Sequence, residues 1–113
     1  MISFEQYSTE ALKTRNQALN WEDNLLHSLL MLSSEVGELC GAYQKALYQG
    51  HPIPDPEVII LEVGDVLWAL NNLAALLGYD LDEVAEINIL KLRKRFNDGS
   101  FSIEDSINRV DVL

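Results

Sequence analysis

Four carboxylates occur as two pairs of the same spacing, and they are the residues best suited to chemistry in this 113-residue chain. Glu35 and Glu38 form the first pair, and Glu62 and Asp65 form the second. Residues three apart on an α-helix lie about 60° apart around the axis, on adjacent turns of one face. If the two pairs lie on facing helices, their oxygens can share a divalent cation.

The ligand types favour a hard cation. Mg²⁺ prefers oxygen ligands, Mn²⁺ is a possible substitute, and no thiolate or imidazole of the kind that favours zinc has a matching position. The alternative for each pair is a solvated helix face, which is the commoner meaning of Glu-x-x-Glu. Glu62 and Asp65, however, interrupt the most apolar stretch of the chain, residues 58–77. An unpaired carboxylate is costly to bury, so a stripe of this kind needs a partner.

A second polar face follows later in the chain. Asn88, Lys91 and Arg95 stand at positions i, i+3 and i+7, within an arc of about 60° on a helix. One amide and two cations on one face could hold a phosphate group. The alternative is that the basic residues only stabilise the C-terminal end of the helix through a favourable interaction with the helix dipole. That alternative explains the cations but not the asparagine on the same line.

Helices carry all of these residues, because apolar side chains recur at helical spacing and no strand pattern is evident. Ser3 with Gln6, and Asp80 with Glu83, have capping-box spacing. Gly78 suits the position after a helix end. The predicted helices cover residues 4–19, 24–48, 57–77 and about 81–96, and residues 103–110 form either a short final helix or a loose tail.

Short connections between long amphipathic segments favour antiparallel neighbours. We therefore predict one all-α domain over residues 1–113, an antiparallel four-helix bundle. The third helix is apolar almost all round and must be covered on most sides. We expect a second subunit to supply part of that cover.

Composition excludes some functions. With 8 basic and 18 acidic residues the net charge is −10. Proteins that bind nucleic acids need the opposite, a positively charged surface. A polyanionic substrate also requires intervening cations. Charges inside the apolar stretch argue against a membrane span, and the N-terminus has no secretory pattern. We expect a cytoplasmic protein, with the single Cys40 as a small buried hydrophobe.

Three blocks of the sequence resemble the MazG-like all-α nucleoside triphosphate pyrophosphohydrolases. They are Ser34–Leu39, Leu61–Trp68 and Asn88–Phe96, and the similarity runs over about residues 21–101. The resemblance implies a helical bundle that works as a homodimer or homotetramer. It also implies Mg²⁺-dependent cleavage of a (deoxy)nucleoside triphosphate to monophosphate and pyrophosphate, in nucleotide-pool housekeeping.

By matching positions, the resemblance makes the four carboxylates metal ligands or orienters of the attacking water. Glu38, with Glu35, is then the candidate for the catalytic base. Asn88, Lys91 and Arg95 become phosphate contacts. Trp21, Trp68 and Asn72 are candidates for contacts to the nucleoside, and the alternative for both tryptophans is a place in the core or in an interface. Ser34 stands where the family often has a glutamate, which leaves the number of metal ions open.

Three other hypotheses remain at the level of the sequence. A related pyrophosphohydrolase could act on another nucleotide, such as phosphoribosyl-ATP or dUTP. A degenerate member could bind nucleotides without cleaving them. A non-catalytic helical interaction module could carry the acidic pairs as a solvated or interface feature.

Overall fold

Five helices and no strand make up residues 1–109, the part of the chain that the computed structural model describes. The helices are α1 (Phe4–Leu12), α2 (Trp21–Tyr48), α3 (Pro56–Leu76), α4 (Leu81–Arg95) and α5 (Ile103–Asn108). The predicted all-α class is confirmed for these residues. Val110, the last residue of the predicted final segment, lies outside them.

Side-chain caps begin these helices where the sequence predicts them. Both capping boxes form: the Gln6 amide donates to Ser3 Oγ at 3.1 Å, and the Glu83 amide donates to Asp80 Oδ1 at 2.8 Å. These bonds satisfy backbone donors that have no partner inside the helix. Gly78, with φ of 85°, follows the end of α3, in the left-handed conformation that favours glycine.

The prediction that the first helix reaches residue 19 is wrong, because α1 ends at Leu12. The Thr14 hydroxyl donates to the Ala11 carbonyl, and the Ala18 amide donates to Asn16 Oδ1. Such local bonds between side chain and backbone compete with helix continuation. Asn20 then caps α2 by accepting a bond from the Asp23 amide, so α2 begins three residues before the predicted start.

An antiparallel pair of helices, α2 and α3, forms the centre of the molecule. The start of α2 meets the end of α3, where the Trp21 indole donates to the Leu76 carbonyl at 2.8 Å. Further along the pair, Asn72 Nδ2 donates to Ser28 Oγ at 2.6 Å. Among the described residues, the buried side chains are small or polar: Ala11, Ala69 and Ala74, with Asn24, Ser28, Asn71 and Asn72.

The remaining helices cover this pair only in part. α1 lies against α3, and in the turn just after α1 the Thr14 hydroxyl accepts a bond from Trp68 Nε1 at 2.7 Å. α4 contacts α1, α3 and α5, but over the described residues it does not contact α2, and it has no buried residue. The radius of gyration is 17.3 Å, whereas a compact domain of this size has about 13 Å. One chain therefore leaves much apolar surface exposed.

The apolar helix α3 is covered at one end only. Its buried residues lie between Ala69 and Ala74, whereas Val58, Ile60, Leu61 and Val63 are exposed. Among the described residues, α3 is the helix that is long and apolar enough to cross a membrane by length and composition, with a mean hydropathy of 1.5. The core helix of a soluble protein meets the same criterion.

Cys40 is exposed, so the prediction of a buried cysteine is wrong. Glu35 faces α3, and Cys40 follows it by five residues on α2. Five residues correspond to about 140° of rotation around the helix. The thiol therefore lies on the face of α2 that α3 does not cover.

Candidate metal and nucleotide site

Three of the four predicted carboxylates converge between α2 and α3. Glu35, Glu62 and Asp65 each offer an oxygen, and these oxygens all lie within 4.8 Å of one another. Glu35 and Glu62 are half-buried, whereas Asp65 is exposed. The three-residue spacing on α3 places Glu62 and Asp65 on adjacent turns, and the antiparallel packing brings Glu35 to them.

Electrostatics make this group unfavourable without a cation. Desolvation raises the pKa of Glu35, and the charges of Glu38 and Asp65 raise it further, as do a side-chain hydrogen bond with Glu62 and the charge of Glu62. One oxygen of Glu35 and one of Glu62 are buried without a hydrogen-bond partner. Buried polar atoms normally have a partner. Oxygen donors in this state fit a hard divalent cation such as Mg²⁺ or Mn²⁺.

Glu38 lies beside this group but is not part of it. It is exposed one turn further along α2, and its charge acts on Glu35. Its side chain lines a groove of about 650 Å³ on the outer side of α2. Glu38 therefore stands between the carboxylate group and an open groove.

The groove is lined by small residues and by two basic side chains. Small residues of α2 form the floor, and the loop after α2 supplies one wall. Lys45 and His51 contribute the basic groups. The other lining residues are Ser34, Gly37, Gly41 and Ala42 of α2, and Pro52 and Pro54 of the loop. A flat or extended anionic molecule could lie here with its charged end toward Glu38 only if a cation offsets the carboxylates.

Two of the nucleoside candidates, Trp21 and Asn72, have different surroundings. The Trp21 side chain is about half exposed, and its indole nitrogen bonds to the end of α3. Only its ring faces remain to contact a base. Asn72 is 1% exposed, and its amide nitrogen donates to Ser28. The structure therefore places Asn72 inside the α2–α3 interface rather than on a surface that a ligand can reach.

The predicted phosphate contacts lie on a separate helix. Asn88, Lys91 and Arg95 belong to α4, and over residues 1–109 this helix does not contact α2, which carries Glu35 and Glu38. α4 does contact α3, which carries Glu62 and Asp65.

Tyr7 is a site neighbour that the sequence analysis missed. Partial burial raises the pKa of its phenol, and the charge of Asp65 raises it further. Tyr7 shares one face of α1 with Ala11, at positions i and i+4, and Thr14 lies in the turn that follows the helix. Thr14 binds Trp68 on α3. The periodicity indicated that face, but only the packing of α1 on α3 shows that it reaches Asp65.

Comparison with known proteins gives one match. The family model of the MazG nucleotide pyrophosphohydrolase domain matches residues 24–100. This stretch contains the carboxylate group, the groove and α4. Among curated proteins and solved structures, none matches the chain.

Proposed function

Since the chain belongs to the MazG nucleotide pyrophosphohydrolase family, we propose that it hydrolyses nucleoside triphosphates to monophosphate and pyrophosphate. The observation that carries this proposal is the convergence of Glu35, Glu62 and Asp65 within 4.8 Å. Two of these carboxylates have buried oxygens without partners, a state that a bound cation relieves. The convergence lies inside the residues that the family model matches.

Glu35, Glu62 and Asp65 are the proposed ligands of Mg²⁺, with Mn²⁺ as a substitute. When bound, the metal ion supplies positive charge for the phosphates and makes a water more acidic. Glu38 is the proposed base. It borders both the carboxylate group and the groove, so it can accept a proton from a water aimed at the α-phosphorus. Glu35 is proposed to support Glu38 in catalysis, and its carboxyl forms a side-chain hydrogen bond with Glu62.

The phosphates need the basic face of α4, and we propose that a second copy of the chain supplies it. α4 exposes the apolar side chains Val84, Ile87, Ile89, Leu90 and Leu92. The first half of α3 also exposes apolar side chains. Burial of both surfaces in a homodimer or homotetramer would complete a four-helix bundle. It would also place Asn88, Lys91 and Arg95 at a neighbouring carboxylate group.

The nucleoside part is proposed to lie in the groove or against the ring of Trp21. Asn72 contributes through the helix interface rather than by contact. A net charge of −10 disfavours nucleic acid as a partner. The carboxylates within α3 disfavour a bilayer. Nucleotide-pool housekeeping in the cytoplasm is the role that fits these features.

The test incubates the purified protein with each common ribo- and deoxyribonucleoside triphosphate, and with phosphoribosyl-ATP, with and without Mg²⁺. We expect monophosphate and pyrophosphate, formed only with metal. Glu62→Gln should abolish the products, whereas Glu57→Gln, an exposed residue of the first turn of α3, should retain them. Diphosphate and orthophosphate as products would contradict attack at the α-phosphorus. No turnover of any nucleotide would favour a non-catalytic module.

A further inference from the structure

A buried hydrogen bond joins α2 to α3 at a distance from the carboxylates. Asn72 Nδ2 donates to Ser28 Oγ at 2.6 Å, and the Ser28 hydroxyl donates to the Asn24 carbonyl at 2.9 Å. Ser28 is 0% exposed and Asn72 is 1% exposed. This bond joins a side chain of α2 directly to a side chain of α3 in the buried part of their interface. We call these two residues the buried pair.

The buried pair and the carboxylates share one helix register. Glu35 follows Ser28 by seven residues on α2, and Asp65 precedes Asn72 by seven residues on α3. Seven residues are close to two full turns, so each carboxylate lies on the same face as the buried residue of its helix. Because the helices are antiparallel, pairing Ser28 with Asn72 also pairs Glu35 with Asp65.

Apolar packing alone does not select this register. A slip of α3 by one turn in one direction would place Asn72 opposite Leu32 and Glu35 opposite Ala69. A slip the other way would place Glu35 opposite Leu61. Either slip moves Glu35 away from Asp65. Either one also breaks the bond from Asn72 Nδ2 to Ser28 Oγ, and the loss of a buried hydrogen bond costs free energy. Ser28 keeps its own bond to the Asn24 carbonyl, because both residues belong to α2.

We propose that the Ser28–Asn72 hydrogen bond fixes the register of α2 on α3 and thereby positions Glu35 against Glu62 and Asp65. Both members are positioning residues, since they do not touch the proposed metal. This inference rests on the proposed function only for what the carboxylates bind. The register itself can be measured without metal or nucleotide.

The first experiment measures the affinity of the full chain for Mn²⁺ alone. Loss of a group that orients metal ligands typically weakens a metal site about 10- to 100-fold, and we expect a loss of this order in Ser28→Ala and in Asn72→Leu. The swapped variant Ser28→Asn/Asn72→Ser should recover most of the affinity, because it restores a donor and an acceptor. Asn71→Leu is the matched control. Asn71 has the same residue type and is 2% exposed, but it makes no side-chain hydrogen bond to α2 in the described residues.

The second experiment measures the register directly. Spin labels on the exposed residues Gln44 and Glu57, in a Cys40→Ser background diluted with unlabelled chain, report the distance between α2 and α3. A one-turn slip moves one helix by about 5.4 Å along the other. The double variant Ser28→Ala/Asn72→Leu leaves no polar group of the pair unpartnered and should keep its helix content. We expect its distance distribution to broaden or shift.

The outcomes separate the two proposals. An unchanged label distance in both Asn72→Leu and the double variant would overturn the register role. So would a loss of Mn²⁺ affinity in Asn71→Leu as large as in Asn72→Leu. If the unmodified chain neither binds Mn²⁺ nor hydrolyses nucleotides, the proposed function fails, and the label distances still decide the register.

Discussion

The α2–α3 pair brings its proposed site residues together within one chain, whereas the surface of α4 stays uncovered in one chain. Between α2 and α3, the oxygens of three carboxylates already lie within 4.8 Å of one another, and a buried hydrogen bond joins the two helices. α4 has no buried residue, and over residues 1–109 it does not contact α2. The comparison teaches that the metal side of the site can form within one chain. The phosphate side depends on whatever covers α4.

The largest expected effect is a loss of reaction rate caused by a substitution on α2. Glu38→Gln removes the proposed base, and loss of a general base typically costs about 10²- to 10⁴-fold in rate. We expect kcat to fall by that factor while the fold and the metal affinity are kept. Steady-state kinetics with the preferred nucleotide measure it. Glu22→Gln, an exposed residue in the first turn of the same helix, is the control, and near-normal kcat in Glu38→Gln would remove Glu38 from the mechanism.

Metal binding between α2 and α3 should stabilise the folded chain strongly. A ligand at 100 times its Kd stabilises the folded state by about 2.7 kcal/mol, which corresponds to a rise in Tm of about 10 °C for a domain of this size. We expect that rise with Mg²⁺ in the unmodified chain and none in Glu62→Gln. Thermal melts with and without Mg²⁺ test it. Equal rises in both proteins would place the metal elsewhere.

A change on α4 should leave metal stabilisation intact. Lys91→Ala removes one proposed phosphate contact, and we expect KM to rise about tenfold, equivalent to about 1.4 kcal/mol. The rise in Tm with Mg²⁺ should stay. Arg93→Ala is the control, because Arg93 lies about 160° around the helix from Lys91. If Lys91→Ala abolished metal stabilisation, the separation between the two regions would be wrong.

The smallest effect is a pH dependence at Glu35 without metal. Its pKa is raised in the folded state, chiefly by desolvation, so the folded chain holds this proton more tightly than the unfolded chain. Stability therefore falls as pH rises from the unfolded pKa through the folded pKa. Glu35→Gln should melt slightly higher than the unmodified metal-free chain at neutral pH, and the difference should vanish in acid. A lower Tm for Glu35→Gln at neutral pH would contradict this sign.

Local signals in the sequence predicted most helix ends correctly. The capping boxes at Ser3 and Asp80 and the proline-rich loop after α2 act within a few residues, so their effect does not depend on the rest of the fold. The region after Leu12 shows the limit. Its apolar spacing predicted a longer helix, but the side chains of Thr14 and Asn16 bind nearby backbone instead.

The site could be predicted as a set of residues but not as an arrangement. Spacing alone placed Glu62 and Asp65 on one face. It did not distinguish the contact of Glu35 with them from the outward position of Glu38. Asn72 was a nucleoside candidate because its position lies on the polar stripe of α3, yet the structure buries it against Ser28. The roles of these residues stay predictions.

The sequence by itself determined the helices, the acidic pairs and the family, because each depends on residue type and spacing along the chain. Tertiary structure alone decided which carboxylates meet, that Tyr7 lies near Asp65, and that Cys40 is exposed. These facts depend on the axial register and rotation of one helix against another. Register is set by contacts between residues more than 40 positions apart, such as Ser28 and Asn72, and no local pattern encodes such a contact.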